Sequence, residues 1–134
     1  MIRYEKLAPF EKHYPFEDAV ASAEYINGVF GAVAEGKFTA GTGMKCVMQV
    51  EKGDDLLSDA YHVKKDEHVR VADLEKTPGA IVNITKDQLP NTVAKSNKLV
   101  AKADGMLKVD AAATKYIEVI EMMPYGVRGK VVIA

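Results

Sequence analysis

Few residues in this chain are of types that do chemistry. The three histidines are His13, His62 and His68. His62 and His68 are six residues apart, so an unbroken strand would place both on one side, as a pair of metal ligands requires. The segment Lys64-Lys65-Asp66 has the composition of a turn that interrupts such a strand, and a third ligand is not apparent. The sequence therefore favours ordinary histidines over a metal site.

Cys46 is the only cysteine, so the chain cannot form an internal disulfide. It belongs to a run in which every second residue is apolar, namely Met44, Cys46, Met48 and Val50. This period of two is typical of a half-buried β-strand. A nucleophilic cysteine needs a nearby base or a helix N-terminus to lower its pKa, and nothing local supplies one. The pattern therefore predicts a buried, structural cysteine.

Two further motifs could bind a ligand through a loop. Gly41-Thr42-Gly43 lacks the GxxxxGK[ST] frame of a phosphate loop and is predicted to be a loop between strands. A small acidic cluster comprises Glu51, Asp54, Asp55 and Asp59. Because the EF-hand spacing is missing, a solvated turn is favoured over a weak cation site. The GxSxG and HExxH motifs are also absent, so we predict no catalytic residue and no cofactor.

Length and composition bound the class of protein. A chain of 134 residues fits one domain, since domains most often have ~100–150 residues. Its 48% hydrophobic and 28% charged residues are typical of globular proteins. The formal net charge of −1, with acidic and basic residues interleaved, argues against a nucleic-acid partner. Without an apolar run of ~20 residues or a signal-peptide core, we expect synthesis in the cytoplasm and no membrane contact.

The elements that must position these residues are strands. The sequence YINGVF at 25–30 places Asn27-Gly28 between β-prone residues, which predicts a type I′ hairpin with strands near 20–26 and 29–34. Asp104-Gly105 predicts a second hairpin in the same way. The other predicted elements are strands at 44–51, 67–74, 81–84, 116–122 and 127–133, the last broken by Gly129, and short helical turns near 54–59 and 86–89. Residues 19–134 are therefore predicted to be all-β, or mainly β, as a small β-barrel or sandwich.

Residues 1–18 differ in character from the rest of the chain. They contain Pro9 and Pro15, which argue against a helix or a central strand. They also hold four of the large aromatic residues, which are Tyr4, Phe10, Tyr14 and Phe16. We predict an extended N-terminal arm whose aromatic side chains bind a partner's groove or add a strand to a sheet edge. The alternative is that the arm folds back over its own barrel.

The second half of the chain resembles a known family. Its order is LPNTVAKSNKLV at 89–100, ADGMLK at 103–108, YIEVIE at 116–121 and GKVVI at 129–133. This order is similar to that of the tailed-phage capsid decoration proteins of small β-barrel or β-tulip type. Those proteins show a V…GD-x-L-V strand, a DG-x-L hairpin, a strand ending in acidic or polar residues, and a closing G…V-x-V/I strand. The segment 19–35 is similar to the early hairpin of phage head-accessory proteins, so the resemblance covers residues 19–134.

The resemblance implies a virion structural protein without catalysis. Decoration proteins lie on the outer surface of the expanded icosahedral shell, often as trimers, and clamp neighbouring subunits of the major capsid protein. For this chain it implies a homo-oligomer, such as a trimer, that binds the major capsid protein through the arm at 1–18. Two alternatives remain open. One is another phage subunit of the tail tube, head completion or fibre anchor, and the other is a small β-barrel ligand-binding or enzymatic domain.

Overall fold

The computed structural model describes residues 1–5, 15–48 and 62–133. These residues are mainly β, with short 3₁₀ helices at Leu74–Lys76 and Lys86–Gln88, which confirms the predicted fold class. No helix within them is long and apolar enough to cross a membrane. The strands are β1 (Ile2–Tyr4), β2 (Phe16–Ala21), β3 (Tyr25–Ile26), β4 (Phe30–Ala34), β5 (Lys37–Ala40), β6 (Lys45–Val47), β7 (His62–Val63), β8 (His68–Asp73), β9 (Ile81–Thr85), β10 (Lys98–Ala101), β11 (Leu107–Val109), β12 (Lys115–Met123) and β13 (Gly126–Ile133).

The strands form a small barrel, a broad sheet and a two-stranded ribbon. The barrel is closed by five strands in the order β2-β5-β4-β6-β8, and β2–β5 is its parallel pair. The broad sheet is antiparallel and has the order β1-β9-β13-β12-β10-β11. β3 pairs with β7 to form the ribbon. Closure leaves the barrel without free edges. The broad sheet is open, and its edge strands are β1 and β11.

Two hydrophobic cores hold these elements together. One cluster fills the barrel and includes Phe38, Val47 and Val71, each with 0% exposure. The other lies between the barrel and the broad sheet and includes Cys46 and Ala72 from the barrel strands. Successive residues of a strand point to opposite faces, so Cys46 and Val47 enter different cores, as do Val71 and Ala72. Both faces of β6 and β8 are therefore buried at these positions.

The predicted hairpin at Asn27-Gly28 is wrong. A turn is present, with the Val29 amide donating to the Ile26 carbonyl at 3.3 Å, but β3 pairs with β7 whereas β4 pairs with β5 and β6. Gly28 has a φ of +107°, and Asn27 is not in the left-handed region, so the turn is not type I′. The two-residue hairpin loop in this part of the chain is instead Glu35-Gly36, which joins β4 to β5 with φ of +51° and +77°.

Most other predicted elements are confirmed. Asp104-Gly105 lies in a hairpin, between β10 and β11, as predicted, but the loop is longer than two residues and only Gly105 of the pair has a positive φ, +84°, so the turn is not type I′. The predicted break at Gly129 is wrong, since β13 runs through it and a side chain there would lie 2.4 Å from Ile117 Cγ2. The irregularity is instead a bulge in β12 between Val119 and Glu121. β5 was not predicted, and the helical turn predicted at 54–59 lies outside the described residues.

Both described ends of the predicted arm belong to the β body. β1 pairs with β9 at the edge of the broad sheet, with Ile2 opposite Ile84. β2 is a barrel strand, so the boundary predicted between residues 18 and 19 falls inside it. Ile2 is only 1% exposed, because its side chain is part of the core between barrel and sheet. This corrects the prediction of a separate arm for residues 1–5 and 15–18, while residues 6–14 lie outside the described ranges.

Candidate functional site

Two of the four side chains predicted to bind a partner pack within the chain. Tyr4 and Phe16 are half-buried, and their rings meet edge to face with centroids 6.0 Å apart. The Tyr4 hydroxyl is 2.8 Å from Thr77 Oγ1, and burial raises the pKa of this phenol. The Arg70 guanidinium lies 4.0 Å from the centroid of the Phe16 ring. These two side chains therefore pack within the chain, and Phe10 and Tyr14 lie outside the described residues.

Cys46 is a structural residue, as predicted. Its side chain is 0% exposed in the core between barrel and sheet, and β6 places it opposite Phe30 and Ala72. Burial raises the pKa of its thiol, so the thiolate is disfavoured. Core packing of this kind gives the cysteine no nucleophilic role.

Burial predicts that Cys46 is unreactive in the native protein. We expect a disulfide reagent such as dithionitrobenzoate to modify it at least ~5,000-fold more slowly than in guanidinium chloride, since exposure requires opening a core stabilised by at least ~5 kcal/mol. Absorbance of the released thiolate measures the rate, and the denatured protein is the control. Rapid modification without denaturant would contradict this placement.

The two described histidines and the glycine loop lie on different elements of the structure. His62 begins β7 and His68 begins β8, and a turn with Asp66 at a φ of +67° lies between them, as predicted. Within the described ranges no group of three or more His, Cys, Asp or Glu side chains could hold a metal ion. Gly41-Thr42-Gly43 joins β5 to β6, which confirms the predicted interstrand loop. His13 and the acidic cluster at 51–59 lie outside the described residues.

The outer face of the broad sheet carries an ion-pair network. Arg128 on β13 lies 2.8 Å from Glu5 and 2.8 Å from Glu121, its neighbour on β12. The hydrogen bond from Arg128 lowers the pKa of the Glu5 carboxyl. The hydrogen bonds that Arg128 donates to Glu5 and Glu121 raise the pKa of its guanidinium. The Tyr125 hydroxyl donates to Asn83 Oδ1 nearby. One guanidinium with two carboxylates leaves a single net negative charge that solvent screens, so this region offers no concentrated field to an ionic ligand.

A groove with apolar walls lies at the end of the broad sheet. It has a volume of about 370 Å³, and we call it the β12 groove. Met122 on its wall is 48% exposed, one of two large hydrophobic side chains exposed to this degree among the described residues. The side chains that define it, most of them apolar, are Lys86, Leu89, Pro90, Asn91, Val93, Met122 and Met123. Lys86 is the one charged member, and the described part of the chain provides it with no ion pair.

One side of β12 is open beside this groove. The register between β10 and β12 consists of Lys98 opposite Glu118 and Leu99 opposite Ile117. Two backbone hydrogen bonds extend it, from Ser96 to the Val119 carbonyl and from Val119 to the Asn97 carbonyl. Residues 121–123 continue past this point with β13 alone as their paired strand among the described elements. The groove therefore combines apolar walls with a short length of unpaired strand edge.

Sequence reasoning did not find this groove. The segment 89–93 entered only as part of a resemblance, and 116–122 only as a strand. The available signal is that Met122 and Met123 stand side by side at the end of β12, where strict alternation would place a polar residue. Comparisons of the chain with protein-family models, with curated protein sequences and with solved structures find no match.

Proposed function

We propose that this chain is a capsid decoration protein, a virion structural protein that binds the outer surface of the major capsid shell and stabilises it. The resemblance of residues 19–134 to such proteins suggests this function. An all-β body built around a small closed barrel is the architecture that the resemblance implies. The proposed partner is the major capsid protein, and the proposed state is a homo-oligomer, such as a trimer at a threefold position of the shell.

The observation that carries this proposal is the core shared by the barrel and the broad sheet. Phe30, Cys46 and Ala72 of the barrel strands belong to one cluster with Leu99 and Val127 of the sheet strands. Close packing of this kind resists deformation, so we expect barrel and sheet to resist separation under load. A protein that clamps neighbouring subunits needs such rigidity, because a hinge between its parts would let the subunits separate.

The test uses shells assembled from the major capsid protein of the virus that encodes this chain. We expect the purified protein to co-sediment with expanded shells to a fixed number of copies, and to raise the temperature at which they disassemble. At a concentration 100-fold above Kd, binding adds about 2.7 kcal/mol per site to the bound state. The control is the unexpanded shell.

Cryo-electron microscopy of the same particles then locates the bound protein. Density on the outer surface of the shell supports decoration. Density confined to the portal and tail axis would instead identify a tail or head-completion subunit. Absence of co-sedimentation at saturating protein would reject the proposed function.

A further inference from the structure

We propose that the β12 groove is the contact surface for the capsid shell, and that its occupant is an extended apolar segment of the shell protein that carries a carboxylate. This inference rests on the proposed function and names the site through which that function acts. Three features of the groove, its strand edge, its walls and its charge, specify the chemistry of the occupant.

The strand edge specifies an extended backbone. β13 pairs with residues 121–123 of β12 on one side, and no described strand pairs with them on the other. Unpaired amide and carbonyl groups on a strand edge are a template for another strand, whose main-chain hydrogen bonds supply affinity. Backbone groups of an antiparallel strand alternate sides, and Val127, opposite Met122, faces β9, so the amide and carbonyl of Met122 face the open edge at the groove.

The walls specify apolar side chains. Five of the lining side chains are apolar, namely Leu89, Pro90 and Val93, which are half-buried, and Met122 and Met123 at the end of β12. Methionine side chains adapt to the shape of a partner because they are unbranched and polarisable. A partner strand would place every second side chain in this groove. Contact with those side chains would bury the Met122 side chain, which is 48% exposed.

The charge specifies an acidic group. Lys86 lies at the groove with its side chain exposed, and it is the one ionised group among the side chains that define the groove. Its neighbour Asp87 is 2.9 Å from the α-amino nitrogen of Met1. A carboxylate of the partner facing Lys86 complements this charge and sets the direction of the added strand.

The experiment compares Met122→Asp with a matched control, Val109→Asp. Met122 and Val109 are the two large hydrophobic residues most exposed among those described, at 48% and 41%, and Val109 lies on β11 outside the groove. We expect Met122→Asp to weaken binding to expanded shells at least tenfold, and Val109→Asp to leave it unchanged. Lys86→Glu should also weaken binding, through repulsion of the partner's carboxylate. Because both apolar residues are exposed, all three variants should keep the wild-type Tm.

Hydrogen exchange on the wild-type protein tests strand addition directly. We expect the Met122 amide, which faces away from β13, to exchange more slowly when expanded shells are added, whereas exchange in β11 is unchanged. If the wild-type protein binds shells but Met122→Asp binds equally well, or the Met122 amide gains no protection, the groove proposal is overturned and the proposed function stands. If the wild-type protein does not bind shells, both are rejected. Loss of self-association in Met122→Asp with shell binding intact would make the groove a contact between copies and overturn the proposal.

Discussion

Replacing Val71 with aspartate is expected to destabilise the protein by about 4 kcal/mol or more, a large part of the ~5–15 kcal/mol that stabilises a domain. Val71 is 0% exposed inside the barrel, where its neighbours in the cluster, such as Phe38 and Val47, are apolar. A carboxylate there would lose its hydration and gain no hydrogen-bond partner. Urea unfolding followed by circular dichroism measures the loss.

The pH dependence of this variant has a defined sign. Burial would raise the pKa of the new carboxyl above its unfolded value of ~3.9, so the native state would bind more protons than the unfolded state. Stability should therefore fall as the pH rises through and above ~4, and the difference from wild type should be smallest in acid. The control is His68→Asp on the same strand, which is exposed and should change stability by at most ~0.5 kcal/mol. Equal stability of the two variants at pH 7 would contradict the placement of Val71 in the barrel core.

Replacing Gly28 with alanine is expected to cost about 2–6 kcal/mol, the sum of backbone strain and overpacking. Its φ of +107° is unfavourable for any residue with a Cβ. The added methyl would also lie 2.0 Å from Gln88 Oε1 and 2.8 Å from the Ile2 nitrogen. Both contacts belong to a buried site, since Gln88 is 0% exposed and Ile2 is 1% exposed.

A matched glycine separates the two causes. Gly79 has a φ of +86°, but no atom lies within 4 Å of the position that its Cβ would take. Gly79→Ala therefore reports conformational strain alone, which is roughly 1–2 kcal/mol. Removing the Gln88 side chain should restore part of the stability lost in Gly28→Ala, because it clears the shortest contact. Thermal unfolding of the four variants, including Gln88→Ala alone, measures the coupling. If the two glycine variants lost equal stability, the close approach of Gln88 to Gly28 would be refuted.

The two turn motifs illustrate how far local patterns extend. Asp104-Gly105 and Asn27-Gly28 carry the same local signal, yet only the first lies in a hairpin. The strands on either side of Asp104-Gly105 are paired with each other, with Ala101 opposite Leu107. Beside the second, β3 pairs with β7, which begins at His62, far along the chain. A turn signal reports what the backbone tolerates at a few residues, and it contains no information about which distant strand competes for the edge.

The aromatic residues near the N-terminus show the same limit. Tyr4 and Phe16 form part of an apolar segment, and from composition alone such a segment can bind a partner or its own domain. Pairing of β1 with β9 and of β2 with β8 decides between these for both residues, because it places their rings against the core. The ends of the segment are thus determined by strand pairing across more than fifty residues of sequence.

What sequence alone determined about this protein is its β class, the positions of most strands and the structural role of Cys46. These follow from the alternation of apolar residues, because a strand turns successive side chains to opposite faces wherever it lies. Tertiary structure decided which strands close the barrel, which form the broad sheet, and where β12 is left open beside Met122. Those features depend on the pairing of distant segments, and the free energy of that pairing comes from cores that exist only once the chain has folded.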